Sequence, residues 1–326
     1  MTNFAFDRNV KIVAIDRKNP LDIVTIENPG TGDEPLKVSF QAEKQLSNEA
    51  STAFVEIYNL TNDTASKFNF RIPPAELVTG KFTFGKKIEI YAGYGTISKR
   101  IFSGVITSAV TSTEGVYRIT RLECRTIYYE LMEQVVNLSF AKGEPKTKAV
   151  LDILSAIGAT LNKASTEILQ QRLAGQVFKD TTNFTNTAYN VINQINKGLT
   201  NYISIYFDDI GVSFAPIGLA LNQPAIVYDK NSGLIGTPVP TEIGVDFEVL
   251  LDPDLQMSAP VIIKSETVDS FFKSIRVDAQ TPLVIKKVIH AGSNKAGDRF
   301  TTRASAVFDN ANFFAQYAPV NNSRVV

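Results

Sequence analysis

The apolar pattern changes period twice along the chain, and this limits the fold more than any other feature. Up to about residue 126, β-branched and aromatic residues gather in brief runs: Val10–Ile15, Ile23–Ile26, Leu36–Phe40 and Ala53–Tyr58. Turn formers such as Asn28-Pro29-Gly30-Thr31-Gly32-Asp33 separate them, the pattern of strands joined by loops. Lys87–Ala92 and Arg100–Thr107 flank Gly93-Tyr94-Gly95-Thr96 as a hairpin. A second hairpin pairs Gly104–Val110 with Val116–Cys124 across Thr113-Glu114-Gly115. Strands this short and frequent predict a barrel or sandwich, since open edges would otherwise remain. Residues 1–126 are therefore expected to form an N-terminal β-barrel-like domain.

From 127 to about 200 the period becomes helical. Val150, Ile153, Leu154, Ile157 and Leu161 share one helix face, with a start near Thr147 and a weakened end at Gly158. Ala188, Val191, Ile192 and Ile195 repeat the pattern, and Gly198 sits where a left-handed C-cap glycine belongs. Ser165–Leu173 predicts a further short helix. Residues 127–200 thus read as a small helical or mixed insertion. The β pattern then returns: Tyr202–Phe207 and Val212–Ala215 flank the turn Asp208-Asp209-Ile210-Gly211. Leu250–Leu255, Val261–Lys264, Phe272–Ala279, Leu283–His290 and Phe300–Phe308 read as strands, and Asn231–Glu242, with Gly233, Gly236, Pro238 and Pro240, as an extended loop. The expected fold class is mainly β (β+α): two β-barrel-like domains, 1–126 and 201–326, with the insertion between them. The register shows no convincing internal repeat.

Composition narrows the function. A chain of 326 residues accommodates two or three domains. Its 33 basic and 33 acidic residues balance, which argues against a general nucleic-acid or anionic-membrane binder. Cys124 is the single cysteine, so no internal disulfide forms, and with His290 as the single histidine a usual structural zinc site is excluded. No apolar run reaches the length of a membrane-spanning helix, and Met1–Arg8 lacks the features of a signal peptide. The chain is expected to be soluble and cytoplasmic at synthesis.

No catalytic constellation emerges. Gly80-Lys81-Phe82-Thr83-Phe84-Gly85-Lys86-Lys87 nearly matches a phosphate-binding loop. It ends in Lys87 where Ser or Thr should hold magnesium, and it leads into a strand instead of a helix. His290 with Asp298 is a candidate base and orienting partner, but no nucleophile elbow accompanies them. Cys124 reads as a buried small hydrophobe. Asp208-Asp209 and Asp252-Pro253-Asp254 are carboxylate pairs among turn formers, where Asp bonds nearby backbone N–H groups. Glu123, Glu130 and Glu133, near Arg121 and Arg125, read as solvated faces or local ion pairs. Asn62-Asp63-Thr64 carries no meaning as a glycosylation site without secretion. The expectation is no catalytic, cofactor-binding or metal-binding residue, and no cofactor.

Several stretches, in order, resemble the baseplate or tail hub proteins of tailed bacteriophages, a family sharing its fold with the base of type VI secretion spikes. In the first β region these are Val55-Glu56-Ile57-Tyr58-Asn59-Leu60, Ile88–Gly95 with its "G-Y" piece, and Ile101-Phe102-Ser103-Gly104-Val105-Ile106. In the second, Gly233-Leu234-Ile235-Gly236-Thr237-Pro238, Thr241–Val245 and Val249-Leu250-Leu251-Asp252-Pro253-Asp254-Leu255 are similar to the family's "GLIG-x-P … G-V … LL-[ND]-P" run. Lys287–Gly292 and Gly297–Thr302 resemble its "V-x-H-x-G-D … G-x-W-x-T" end, with Ser293 in place of Asp and Phe300 in place of Trp.

The resemblance implies a non-enzymatic structural protein of the virion: a homotrimer whose two barrels per chain make a ring of six similar units. Such a ring adapts a sixfold tail tube to a threefold central spike and leaves a channel for DNA ejection. The implied partners are further copies of the chain, tube or tube-terminal proteins, the spike, other baseplate proteins, and phage DNA passing non-specifically. Assembly would take place in the host cytoplasm, with the spike and any cell-wall hydrolase as separate polypeptides. The alternative is a β-rich carbohydrate-binding or receptor-binding adhesin module using aromatics such as Phe313, Phe314 and Tyr317.

Overall fold

The computed structural model describes residues 7–17, 19–27, 36–46, 50–69, 85–159, 161, 165–166, 169–170, 173–197, 203–207, 212–216, 220, 223–275, 277–278 and 280–308. The expected turns at Asn28–Asp33 and Asp208–Gly211, Gly80–Phe84 of the near phosphate loop, Gly198, and Phe313, Phe314 and Tyr317 lie outside the described residues, as does part of the short helix expected at Ser165–Leu173.

The N-terminal β region contains β1 (Arg8–Ile15), β2 (Ile23–Glu27), β3 (Val38–Gln45), β4 (Thr52–Tyr58), β5 (Lys87–Tyr94), β6 (Ile97–Glu114) and β7 (Tyr117–Arg125), with a short helix α1 (Asn62–Ser66) after β4. Alternation puts one face of each strand inward, as with Val10, Ile12 and Ala14 on β1 and Ala53, Val55 and Ile57 on β4. β6 is one 18-residue strand where the sequence reads as arms of two hairpins. Its first half pairs with β5 and its second with β7, and register shifts at Ile90/Tyr91 and Ile106/Ser108 let it bend between them.

The insertion holds α2 (Ile127–Met132), β8 (Val135–Phe140), α3 (Lys146–Ala156), β9 (Thr182–Thr187) and α4 (Ala188–Lys197). α3 buries Ala149, Val150, Ile153 and Leu154, and Gly158 beyond it takes φ +69°. The next hairpin, β10 (Ile203–Phe207) with β11 (Val212–Pro216), forms its own two-stranded sheet. Val212 packs into the core of the insertion.

The C-terminal region contains β12 (Ile226–Tyr228), β13 (Leu234–Thr241), β14 (Gly244–Leu250), β15 (Pro260–Ile263), α5 (Glu266–Ser274), β16 (Leu283–Ser293) and β17 (Phe300–Phe308). Three expectations are corrected here. Of the strand expected at Leu250–Leu255 only Leu250 is in a strand, as the end of β14, and the residues after it form a turn. The loop expected at Asn231–Glu242 is mostly β13, paired with β14 across a bulge between Ile235 and Val239. Its prolines are tolerated because it is an edge strand, where a missing N–H breaks no ladder. The strand expected at Phe272–Ala279 does not form: Phe272–Ser274 end α5, Ile275 is its C-cap, and Val277 and Asp278 lie in no strand, Arg276 and Ala279 being outside the described residues. In α5, Ser265 accepts the Val268 N–H as N-cap, Glu266 and Asp269 occupy the first turn, and Val268 and Phe272 share the buried face.

The fold is mainly β, but among the described residues it contains no closed barrel. Thirteen strands form one sheet whose main path runs β13-β14-β17-β16-β3-β4-β7-β6-β5-β1-β2. β15 joins it at β16, and β12 adds to β15 in parallel. Both β regions enter this sheet because β3 pairs with β16, antiparallel, from Gln45↔Lys287 to Ser39↔Ser293. The edge of β3 that could have closed a separate N-terminal barrel is occupied by a strand some 240 residues away. Among the described residues no helix is long and apolar enough to cross a membrane.

Candidate functional site

The β3–β16 seam gathers the last of the stretches that carried the family resemblance, Lys287–Gly292 and Gly297–Thr302. The turn after β16 is tied to the approach to β3: Asn294 Oδ1 accepts the Val38 N–H (2.9 Å), its Nδ2 donates to Leu36 O (2.7 Å), and its own N–H reaches Val38 O (3.2 Å). Lys37 pairs with Asp298 at 3.0 Å, which lowers the carboxyl's pKa, first through that hydrogen bond. Arg8 on β1 donates to the carbonyls of Ser293 (3.2 Å) and Lys295 (2.7 Å) and lies 5.3 Å from the Phe300 ring centre. Phe300 in turn meets Phe40 edge-on at 6.0 Å and Tyr94 at 5.2 Å. The Tyr94 hydroxyl accepts the Leu251 N–H (3.2 Å) and donates to Phe300 O (3.4 Å), and burial raises its pKa. Leu251 and Phe300, both from the C-terminal region, thereby belong to the N-terminal core.

Behind this aromatic knot lies His290, 1% exposed. Its Nδ1 is 2.9 Å from Thr302 Oγ1, and that oxygen already accepts the Asp252 N–H at 2.9 Å. The threonine oxygen keeps a second lone pair and its own hydrogen, so it can bond Nδ1 in either direction, depending on the tautomer of the ring. Burial pushes the histidine pKa down to about 3, with Lys44 adding to the shift. Asp298 is engaged by Lys37, so the candidate base–orienter pair His290–Asp298 is not assembled.

Asp252 Oδ2 accepts the buried Tyr228 hydroxyl (2.6 Å), and its Oδ1 accepts the Asp254 N–H (2.9 Å). Asp254 holds Lys99 of β6 at 2.7 and 2.6 Å. The carboxylates of this turn are thus clamps, one within the C-terminal region and one across to the N-terminal region. Among the described residues no cluster of three metal-ligating side chains occurs.

The other flagged residues also have structural partners. Cys124 is buried among apolar side chains, and burial raises its thiol pKa. Lys86 bonds Asp22 at 2.5 Å, Lys87 pairs with Glu89 at 2.8 Å, and the segment enters β5, not a helix. Arg121 bridges Glu56 (2.9 Å) and Glu114 (2.5 Å) on the open face of the sheet. Asn62-Asp63-Thr64 forms α1, capped by Thr61.

The short motifs acquire reasons. Asn59 adopts φ +60°, donates to Arg118 O (2.6 Å) and accepts the Arg118 N–H on Oδ1 (3.2 Å), ending β4 while holding β7. A Cβ on Gly93 would fall 2.0 Å from Ile97 O and one on Gly104 2.2 Å from Arg125 O, so both glycines admit close strand crossings. Ser293 Oγ accepts the Lys295 N–H (3.1 Å), keeping a turn acceptor where the family pattern has Asp. The sequence reading missed Arg8, Asn294 and Lys99, whose hydrogen-bond partners are 155 to 287 residues away and, like the carbonyls held by Arg8, in part leave no side-chain signature.

The family model for baseplate hub gp41 matches residues 23–274. No curated protein matches the sequence. Among solved structures, the 43 kDa tail protein of prophage MuSo2 from Shewanella oneidensis aligns at 10% identity and TM-score 0.56, over 94% of this chain and 99% of that one. A tail protein from Neisseria meningitidis MC58 gives 10% identity and 0.55, over 94% and 98%. The E. coli c3393 protein, a type VI secretion component with structural similarity to T4 bacteriophage tail proteins gp27 and gp5, gives 9% and 0.52, over 86% and 75%. At these identities the likeness establishes the shared fold.

Proposed function

The chain belongs to the baseplate hub gp41 family, and from that premise we propose that it assembles as a homotrimeric ring adapting a sixfold tail tube to a threefold central spike. Its role as a structural protein of the phage tail baseplate places it in the virion. In the ring each chain contributes two similar β units, residues 1–126 and 201–326, with 127–200 as an appendage, so three chains offer six positions to the tube. The units act as barrel-like modules whose open edges are covered by neighbours. The chain performs no catalysis. It meets tube proteins, spike and other baseplate proteins through its surfaces, and DNA passes through the central channel without specific contacts. Assembly precedes incorporation and takes place in the host cytoplasm.

The observation that carries this reading is the seam. A symmetry adaptor must hold its two units in a fixed relation, and here β3–β16 pairing, the Phe300–Tyr94–Arg8 cluster and the Asn294 clamp do so. Light scattering over a wide concentration range tests it: the expected mass is three times the 35.8 kDa chain. A monomer at every concentration, with or without the spike protein, would overturn it.

A further inference from the structure

The C-terminal end of the through-sheet carries a groove with apolar and acidic walls. The bulge between Ile235 and Val239 opens a space of about 510 Å³ lined by Ile235, Val239, Asp246, Ile289 and Arg303. Val239 is 60% exposed and Ile243, in the adjoining turn, 55%. The side chains of Asp246 and Glu242, in the same hairpin, take no hydrogen bond or ion pair among the described residues. Pro238 and Pro240 remove two backbone donors from β13, which blunts it against strand addition, so an occupant must bind through side chains.

The chain itself leaves the sheet beside this groove. The N–H of Phe308, the last residue of β17, bonds Ile243 O at 3.0 Å, so residue 309 starts next to the β13–β14 turn. Val239 stands opposite Asp246, which stands opposite Ser305, and Ile235 opposite Glu248, which stands opposite Arg303. The groove therefore lies level with Arg303–Ser305, about 10–17 Å back along β17 from Phe308 at about 3.3 Å per residue. Residues 309–326 lie outside the described residues, and their sequence suits that place. Three of the four residues Asp309-Asn310-Ala311-Asn312 are turn formers, and Phe313, Phe314 and Tyr317 follow. A reversal within Asp309–Asn312 brings the stretch from Phe314 to Tyr317 back to the level of Arg303–Ser305. After Asp309 the only charge is Arg324, so the segment offers a cation to two unpaired carboxylates and has little other charge to desolvate.

We propose that residues 309–326 fold back over the sheet and seat Phe313, Phe314 and Tyr317 in the β13–β14 groove of their own chain, against Val239 and Ile235, with Arg324 supplying the cation that Glu242 and Asp246 lack. The tether is short, so the segment stands at an effective concentration on the order of millimolar, and a contact too weak to hold a free peptide suffices. The strap seals the groove and withdraws from solvent the aromatics that a carbohydrate-binding module would use.

The chain has no tryptophan, so Phe314→Trp in the full chain reports on that position alone. Its emission should be blue-shifted and protected from acrylamide. Adding Val239→Asp, at a position exposed enough to leave the fold intact, should shift the emission to longer wavelength and remove the protection. In a second variant, Val239→Cys with Phe314→Cys, the disulfide should close within one chain at monomer mass, the buried Cys124 staying out of the reaction. The contact lies within one chain and does not rest on the trimer reading, so a chain that never associates would leave it standing. A tryptophan whose emission Val239→Asp does not change, exposed or buried, would overturn the proposal. So would a disulfide between chains, which would assign the groove to another copy.

Discussion

Acid should weaken this protein through His290, by an amount its surroundings set. The imidazole is buried, neutral and locked by Thr302, with a pKa near 3 against 6.5 for a free histidine. A base whose pKa falls on folding binds its proton more readily in the unfolded chain. Its effect is absent well above pH 6.5, and stability drops steadily as pH falls from 6.5 towards 3. At pH 4.5, two units below the free value, the loss from this one group is about 3 kcal/mol relative to pH 7.5. That is a large fraction of an ordinary folding free energy. Carboxylates titrate over the same range, so the wild-type curve alone does not isolate the effect. His290→Asn does: its side-chain amide can still hydrogen-bond the Thr302 hydroxyl near the place of Nδ1, but it does not titrate at any pH tested. Urea unfolding of both proteins from pH 7.5 to 4.5 should show the variant less stable by a fixed amount at neutral pH, from the lost ring packing. The gap should then close by about 3 kcal/mol towards pH 4.5. Parallel curves would refute the reasoning, because they would mean the folded protein takes up the proton as easily as the unfolded chain.

Four further outcomes follow from the seam and the crossings. Phe300→Ala should cost about 3–5 kcal/mol in urea unfolding. Tyr94→Phe, which removes only the hydroxyl between Leu251 and Phe300, should cost about 1 kcal/mol. Gly104→Ala should lose at least about 1–3 kcal/mol, since its new methyl would lie 2.2 Å from Arg125 O, and its thermal midpoint should fall accordingly. Lys99→Ala should change stability by less than about 1 kcal/mol despite short contacts to Asp254, because that pair is half-exposed and solvent screens it.

Local pattern made much of this architecture readable. β17 spans Phe300–Phe308 as its alternation predicts, and the helices at Val150–Ile157 and Ala188–Ile195 follow their apolar period. Errors arose where a local signal was ambiguous. Gly236, Pro238 and Pro240 read as loop formers, yet on an edge strand they cost no hydrogen bonds. Phe272 read as the start of a strand, but the Ser265 cap and first-turn acids made the segment helical. The β3–β16 pairing was hidden for a different reason. Both strands alternate like their hairpin neighbours, and nothing in either sequence names a partner some 240 residues away. Asn294, Arg8 and Lys99 were missed with it, because their roles exist only once the two regions are joined. His290 and Asp252 were flagged for chemistry, and the seam is where they were found, each occupied as a structural clamp.

The most direct test of the account is electron cryomicroscopy of the assembled protein at a resolution that traces strands. The predicted map has three copies around an open axis, and in each copy β3 lies beside β16, so that both β regions share one sheet. A map in which the two regions separate at that seam, or in which the copies fail to close about a threefold axis, would contradict it.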